Sequence, residues 1–321
     1  MPATQGHRDR RVRFGLHCAQ PRGGQWVRFA TEVEAAGFDI LTIPDHLAPT
    51  VAPFAGCAAA AAATTHMHTG TLVLNNDLRH PVDTAREAAS IADLSGGRFE
   101  LGLGAGHMKS EYDSAGIGFD AAATRVERLI ESTELIRSLL DGAAVDVDGH
   151  HYMVRADAGA LVAAPPCHVP LLIGGNGTRV LQLAGRLADI AGLAGFSHNA
   201  DATEVRLTHF DPAGLDDRIA VVREAAGDRF DAIELNALVQ FVVVTDDRDG
   251  AAAELAVQFG DVTAGYLLDS PFVLIGTHEQ MAEQVLERRR RYGISYWTVI
   301  DEYAGRASAM PDIAKVIDLL R

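Results

Sequence analysis

Residues 70–112, GTLVLNNDLRHPVDTAREAASIADLSGGRFELGLGAGHMKSEY, limit the fold more than any other part of the chain. A short β-branched and aliphatic run at 71–74 leads to 81–94, where Val82, Ala85, Ala88, Ala89, Ile91, Ala92 and Leu94 recur at near-helical spacing. Pro81 suits a first helical turn, and Gly96-Gly97 stops the helix. Residues 99–103 then read as a strand too apolar for an edge hairpin, so two buried parallel strands joined by a helix are predicted. Both strands leave into unusual exits, Asn75, Asn76 and Asp77 after the first and Gly104, Ala105, Gly106 and His107 after the second. If the unit repeats, the carboxyl ends of the strands form the working face.

It does repeat. Strands are predicted at 12–17, 40–43, 71–74, 99–103, 171–173 and 189–193, within 233–244 and at 296–300, with helices between them at 25–36, 56–64, 81–94, 123–140, 178–186, 216–226, 251–259 and from Thr277 onward, and a closing helix at 313–320. Eight strand–helix units make an α/β fold, the (β/α)8 TIM barrel, with insertions at its C-terminal face over 104–122, 141–170, 195–212 and 260–276. The second insertion reads as a hairpin turning near Asp148-Gly149, the third as irregular chain. A doubly wound open sheet would want Gly-x-Gly-x-x-Gly after the first strand, where this chain has His17, Cys18, Ala19 and Gln20. With 321 residues and no low-complexity linker, one domain over 12–321 is expected, preceded by a flexible tail at 1–11.

A net charge of −15 disfavours nucleic acid and anionic membrane as partners, since both bind through neutralised phosphates. The basic run at 288–291 reads as a solvated helix end. No stretch resembles a leader or a membrane span, so a cytoplasmic location is expected. Cys18, Cys57 and Cys167 are too few and too scattered for a disulfide framework or a zinc site and read as buried thiols. No metal motif and no Gly-x-Ser-x-Gly elbow occurs, so hydrolytic chemistry has little support.

The strand exits collect His17 and Gln20, Asp45 and His46, Asn75 and Asn76, residues 104–111, residues 174–178, Ser197 and His198, and residues 301–303 on one rim. Strand ends carry turn residues in any barrel, and three groups exceed that background. Asp45-His46 sets a carboxylate beside an imidazole that can pass a proton near neutral pH; a capping Asp and a packed His are the plain alternative. Gly174, Gly175, Asn176, Gly177 and Thr178 lie between a strand and a helix, where backbone amides can hold a phosphate or simply make a turn. Asn75-Asn76 offers two amides able to meet the carbonyl and imide edges of a flat heteroaromatic ring. A bound organic cofactor would account for all three.

The chain resembles the luciferase-like monooxygenase superfamily, in the branch that uses the deazaflavin coenzyme F420. The likeness is carried by RFGLH, AAGFDILTIPDHL, TLVLNNDLRHPVDTAREAASIADLSGGRFELGLGAG, LLIGGNGTRVLQLAGRLADIAGL and LIGTHEQMAEQVLERRRRYGISYWTVIDE. The resemblance implies catalytic roles for His46 and its neighbour Asp45. It implies cofactor contacts at His17, Asn75, Asn76, Gly104, Gly106, His107, Ser110 and Glu111, with the phosphate at Gly174, Gly175, Asn176, Gly177 and Thr178. It also implies a non-proline cis peptide near Asn75 and Asn76. Sugar-phosphate dehydrogenases of the family use a Glu and an Asn in the loop after strand four, where this chain has His107 and Ser110 and keeps Glu111. The expectation is therefore hydride transfer between coenzyme F420 and a small-molecule or peptide-derived substrate, reducing an activated C=C or C=N bond with His46 as proton donor. An FMN-dependent monooxygenase is the alternative, and a flavin- or deazaflavin-binding protein without turnover is the alternative of another class. A homodimer is expected from the family habit.

Overall fold

The computed structural model describes residues 4–20, 23–199, 204–259, 262–301 and 307–321. Eight parallel strands close into a barrel: β1 (Arg13–His17), β2 (Ile40–Ile43), β3 (His68–Thr71), β4 (Phe99–Gly104), β5 (Leu171–Gly174), β6 (Ile190–Leu193), β7 (Glu234–Val239) and β8 (Ile294–Ile300). Closure is made by β3 against β4, with Thr69 opposite Phe99 and Gly70 opposite Glu100. The expected (β/α)8 barrel is therefore present.

Alternation along each strand divides the apolar residues into two sets. Phe14, Leu16, Leu41, Ile43, Leu101, Leu103, Leu171, Ile173, Trp297 and Val299 join the large core shared with the surrounding helices. Ile40, Leu72, Leu172, Ile190 and Tyr296 form a second, smaller cluster that fills the barrel. At the amino-terminal end a charged layer closes the barrel. Arg13 spans Glu100 (2.7 Å) and Glu234 (2.6 Å), and its guanidinium lies 4.4 Å from the centre of the Tyr296 ring.

The helices start and stop for local reasons. Gly96 and Gly293 close the helices Pro81–Ser95 and His278–Tyr292 with positive φ, and Thr277 makes a reciprocal capping box with Gln280. Gly185 brings Thr178–Leu187 hard against Pro212–Ala226, for an added Cβ would lie 2.6 Å from the Val222 carbonyl oxygen.

Several expectations are corrected. The chain at 4–11 is not a loose tail throughout: Gln5–Asp9 is a short helix, and buried His7 donates from Nε2 to the Ile233 carbonyl (2.7 Å) while Nδ1 meets the Thr4 hydroxyl (2.8 Å). The third strand begins at His68, and after Thr71 the chain re-enters the sheet only as Leu74–Asn75 against β4. The non-proline cis peptide expected near Asn75 and Asn76 is present, between Leu72 and Val73. The predicted seventh strand is two: Gln240 turns the chain, its N–H donating to the Phe272 carbonyl, and Phe241–Val244 leaves the barrel to pair in parallel with Val273–Gly276. Part of 195–212, expected to be irregular, is a small hairpin of Phe196–His198 and Val205–Leu207. Cys18 and Cys57 are buried, but Cys167 is exposed. Arg288 is buried as well, donating to the Ser270 and Pro271 carbonyls, so the basic run is not solvated throughout. The hairpin at 141–170 is present as Val145–Asp148 and Met153–Ala156. Of the rim residues at 301–303, 302 and 303 lie outside the described residues.

Candidate active site at the carboxyl ends of the strands

Val73 organises the mouth of the barrel. It is half-buried, and it occupies the space that side chains at two neighbouring strand ends would need: a Cβ on Gly104 would stand 2.5 Å from Val73 Cγ2, and one on Gly174 2.8 Å from Val73 Cγ1. Gly104 and Gly174 are thus empty for a packing reason. The result is an apolar wedge at the rim.

Asp45 and His46 follow β2 but face different partners. Buried Asp45 accepts the Asn75 N–H (3.0 Å) and holds Arg79 through both carboxylate oxygens, one at 3.0 Å. His46 instead meets Glu111, with Nδ1 2.8 Å from Oε1, and the second oxygen of Glu111 accepts the Leu47 N–H at 3.1 Å. A carboxylate only accepts, so the proton on Nδ1 belongs to His46 and Nε2 is left to take or give another. The expected Asp45–His46 partnership is replaced by one with Glu111. The reason is that Glu111 stands in the first turn of the short helix Lys109–Ala115, from which its carboxylate reaches both His46 and the Leu47 N–H.

His107 stands edge-on to His46 with ring centres 5.7 Å apart. His17 ends β1, its Nδ1 3.0 Å from the Thr42 hydroxyl, and burial together with the nearby His46 lowers its pKa to about 3. It is a neutral imidazole at the mouth. Ser110 is exposed and makes no side-chain hydrogen bond with these groups among the described residues.

Asn75 and Asn76 are both buried. The Asn75 side-chain oxygen Oδ1 accepts from the Tyr112 hydroxyl (2.8 Å) and from the Asp77 N–H (3.1 Å), and the Asn76 side-chain amide donates to the Tyr152 hydroxyl at 3.3 Å. Gly106, with φ +74, passes over this bond so closely that a Cβ would be 2.1 Å from the Tyr112 oxygen. Arg128 joins the layer through Asp77 at 2.7 Å. Arg79, Tyr112 and Arg128 escaped the sequence reading, and Asp77 was named there only as part of a strand exit. Their only signal was nearness in the chain to the strand-three and strand-four exits, or, for Arg128, a charge on an amphipathic helix.

The glycine loop lies where it was expected, between β5 and the helix Thr178–Leu187. A Cβ on Gly177 would meet nothing within 4 Å, so the loop faces open space there. The side-chain amide of Asn176 is committed to the Thr208 carbonyl (2.9 Å) and hydroxyl (2.7 Å), which ties the loop to the end of the strand Val205–Leu207. Gly175 is held in by Val180, 2.9 Å from an added Cβ. Among the described residues no group of three or more His, Cys, Asp or Glu could hold a metal ion, and no helix is long and apolar enough to cross a membrane.

A parallel barrel with an imidazole–carboxylate pair, a wedge of apolar surface and an open glycine loop on its C-terminal rim has the layout of a TIM-barrel enzyme. The chain belongs to the luciferase-like monooxygenase family, whose pattern matches residues 10–266. It is 32% identical over 253 residues to a Nakamurella multipartita protein named F420-dependent glucose-6-phosphate dehydrogenase, across 75% of this chain and 70% of that one. It is 30% identical over 250 residues to a Methanolobus tindarius protein named 5,10-methylenetetrahydromethanopterin reductase, across 78% of this chain and 69% of that one. The solved structure of an F420-dependent secondary alcohol dehydrogenase in complex with an F420-acetone adduct shares the fold, with a TM-score of 0.74 at 20% identity over 97% of this chain and 100% of that one.

Proposed function

We propose that this chain is a coenzyme F420-dependent oxidoreductase that reduces an activated C=C or C=N bond, with His46 as the proton donor. The Nakamurella multipartita relative, named for coenzyme F420, supports the cofactor. The His46–Glu111 pair carries the rest, because it engages Nδ1 and leaves Nε2 without a hydrogen bond among the described residues. When bound, the deazaflavin supplies the hydride chemistry.

The residues present fit such a cofactor. Val73 offers an apolar surface for a planar ring, and the open backbone at Gly177 beside the Thr178 hydroxyl suits a phosphate at a helix start. Glu111 holds the His46 ring in one orientation and accepts its Nδ1 proton in a hydrogen bond, so that Nε2 can move a proton to a substrate carbon or nitrogen. Asp45 acts at one remove, fixing the Asn75 backbone and Arg79. With His107 and Ser110 in the loop after β4, the substrate we favour is a neutral conjugated compound over a sugar phosphate. A homodimer in the cytoplasm completes the proposal.

The test is a fluorescence titration of the purified protein with oxidised coenzyme F420 and, separately, FMN, followed by turnover of the reduced coenzyme with α,β-unsaturated ketones and imines. Binding of coenzyme F420 with turnover is expected, and turnover should be lost in His46→Gln. Preference for FMN would move the reading to a monooxygenase, and binding without turnover would leave a cofactor-binding protein.

A further inference from the structure

Arg218 lies on the helix Pro212–Ala226, which the missing side chain of Gly185 allows to pack against the helix opened by Thr178. Its Nη1 donates to the Asn176 carbonyl (3.3 Å) and to the Thr178 hydroxyl oxygen (3.2 Å). Both acceptors are neutral and both bonds are long. Arg79, Arg128 and Arg179 are matched by Asp45, Asp77 and Glu127, whereas Arg218 has no acidic partner among the described residues. Its Nε is buried and makes no hydrogen bond.

We propose that Arg218 is the cationic ligand of the phosphate group carried by the cofactor, acting with the Thr178 hydroxyl and the backbone amides of the glycine loop. The inference rests on the cofactor reading above and assigns the charge that reading leaves unnamed. The Thr178 hydroxyl accepts from Arg218, so its own proton is free for a phosphate oxygen. The Asn176 amide, engaged with Thr208, is not free. A guanidinium without a carboxylate, beside the start of a ten-residue helix, therefore supplies the positive charge that the amides alone do not. The same field reaches His209, whose pKa is lowered first by burial and next by Arg218.

The experiment compares two fluorescent ligands, coenzyme F420 and its deazaflavin chromophore without the phosphate-bearing tail, on wild type, Arg218→Gln, Arg218→Lys and Thr178→Ala. Circular dichroism and thermal melting establish that each variant is folded. Arg218→Gln is expected to weaken coenzyme F420 binding by about ten- to a hundredfold, the range of a charge-assisted hydrogen bond, while leaving the chromophore unchanged. Arg218→Lys should lose less, and the salt dependence of coenzyme F420 binding should flatten in Arg218→Gln. Unchanged coenzyme F420 affinity in a folded Arg218→Gln protein, or an equal loss for both ligands, would overturn the role of Arg218 alone. Binding of neither ligand by wild type would overturn the cofactor reading and this proposal together.

Discussion

His46 and Glu111, 65 residues apart in the chain, are joined by a 2.8 Å hydrogen bond across the mouth of the barrel. The bond fixes which nitrogen of the imidazole carries a proton toward Glu111, and it leaves the other out of that pairing. Replacing Glu111 by Gln should lower kcat by about a hundredfold with little change in cofactor Kd, because an amide no longer holds the ring or balances its charge. Steady-state kinetics beside a fluorescence titration check this. A normal kcat with weakened cofactor binding would make Glu111 a binding group.

Asp45 is buried and binds the Arg79 guanidinium through both carboxylate oxygens. Asp45→Asn leaves the half-buried Arg79 guanidinium without its counter-charge, and we expect a loss of about 3 kcal/mol in chemical denaturation. The double variant with Arg79→Met should recover part of that loss. If instead Asp45→Asn keeps full stability and loses turnover, Asp45 belongs to the proton-transfer machinery.

Gly104→Ala places a methyl where Val73 already stands and should cost about 1–3 kcal/mol, with weaker cofactor binding. Val73→Ala on the same chain should restore stability. Failure of that rescue in thermal melts would show that the glycine is needed for something other than room.

His17 and His7 both have lowered pKa values, for which burial is the first cause. The unfolded chain therefore binds protons that the folded chain refuses. Their contribution is whole above about pH 6.5, the ordinary histidine value, and is lost as pH falls toward the folded values, near 3 for His17. In urea titrations from pH 7 to pH 4, His17→Asn should lose stability less steeply than wild type. Parallel curves would show that His17 does not contribute.

The barrel was legible because its strands are apolar on both faces and its helices carry stripes, patterns that survive whatever the loops do. Even the glycine loop and the cap at Thr277 could be read locally, since each depends on a few consecutive residues. Misreadings fell where long-range packing overrides local pattern. Arg288 sits in a basic run yet is buried by two carbonyls from the preceding loop. The run at 233–244 is one stretch of strand-forming residues, and only the pull of Val273–Gly276 on its second half divides it.

The site follows the same division. Sequence alone determined that polar and glycine residues gather at the carboxyl ends of the strands, because the repeat of strand and helix dictates where each strand ends. It placed His46, Glu111, Asn75 and the loop at 174–178 on that rim. Only the tertiary structure decided the partners: His46 with Glu111, Asp45 with Arg79, Asn75 with Tyr112, and Arg218 with the loop before Thr178. Pairing is set by how far each loop and helix reaches over its neighbours, and that distance is fixed by packing between segments far apart in the chain.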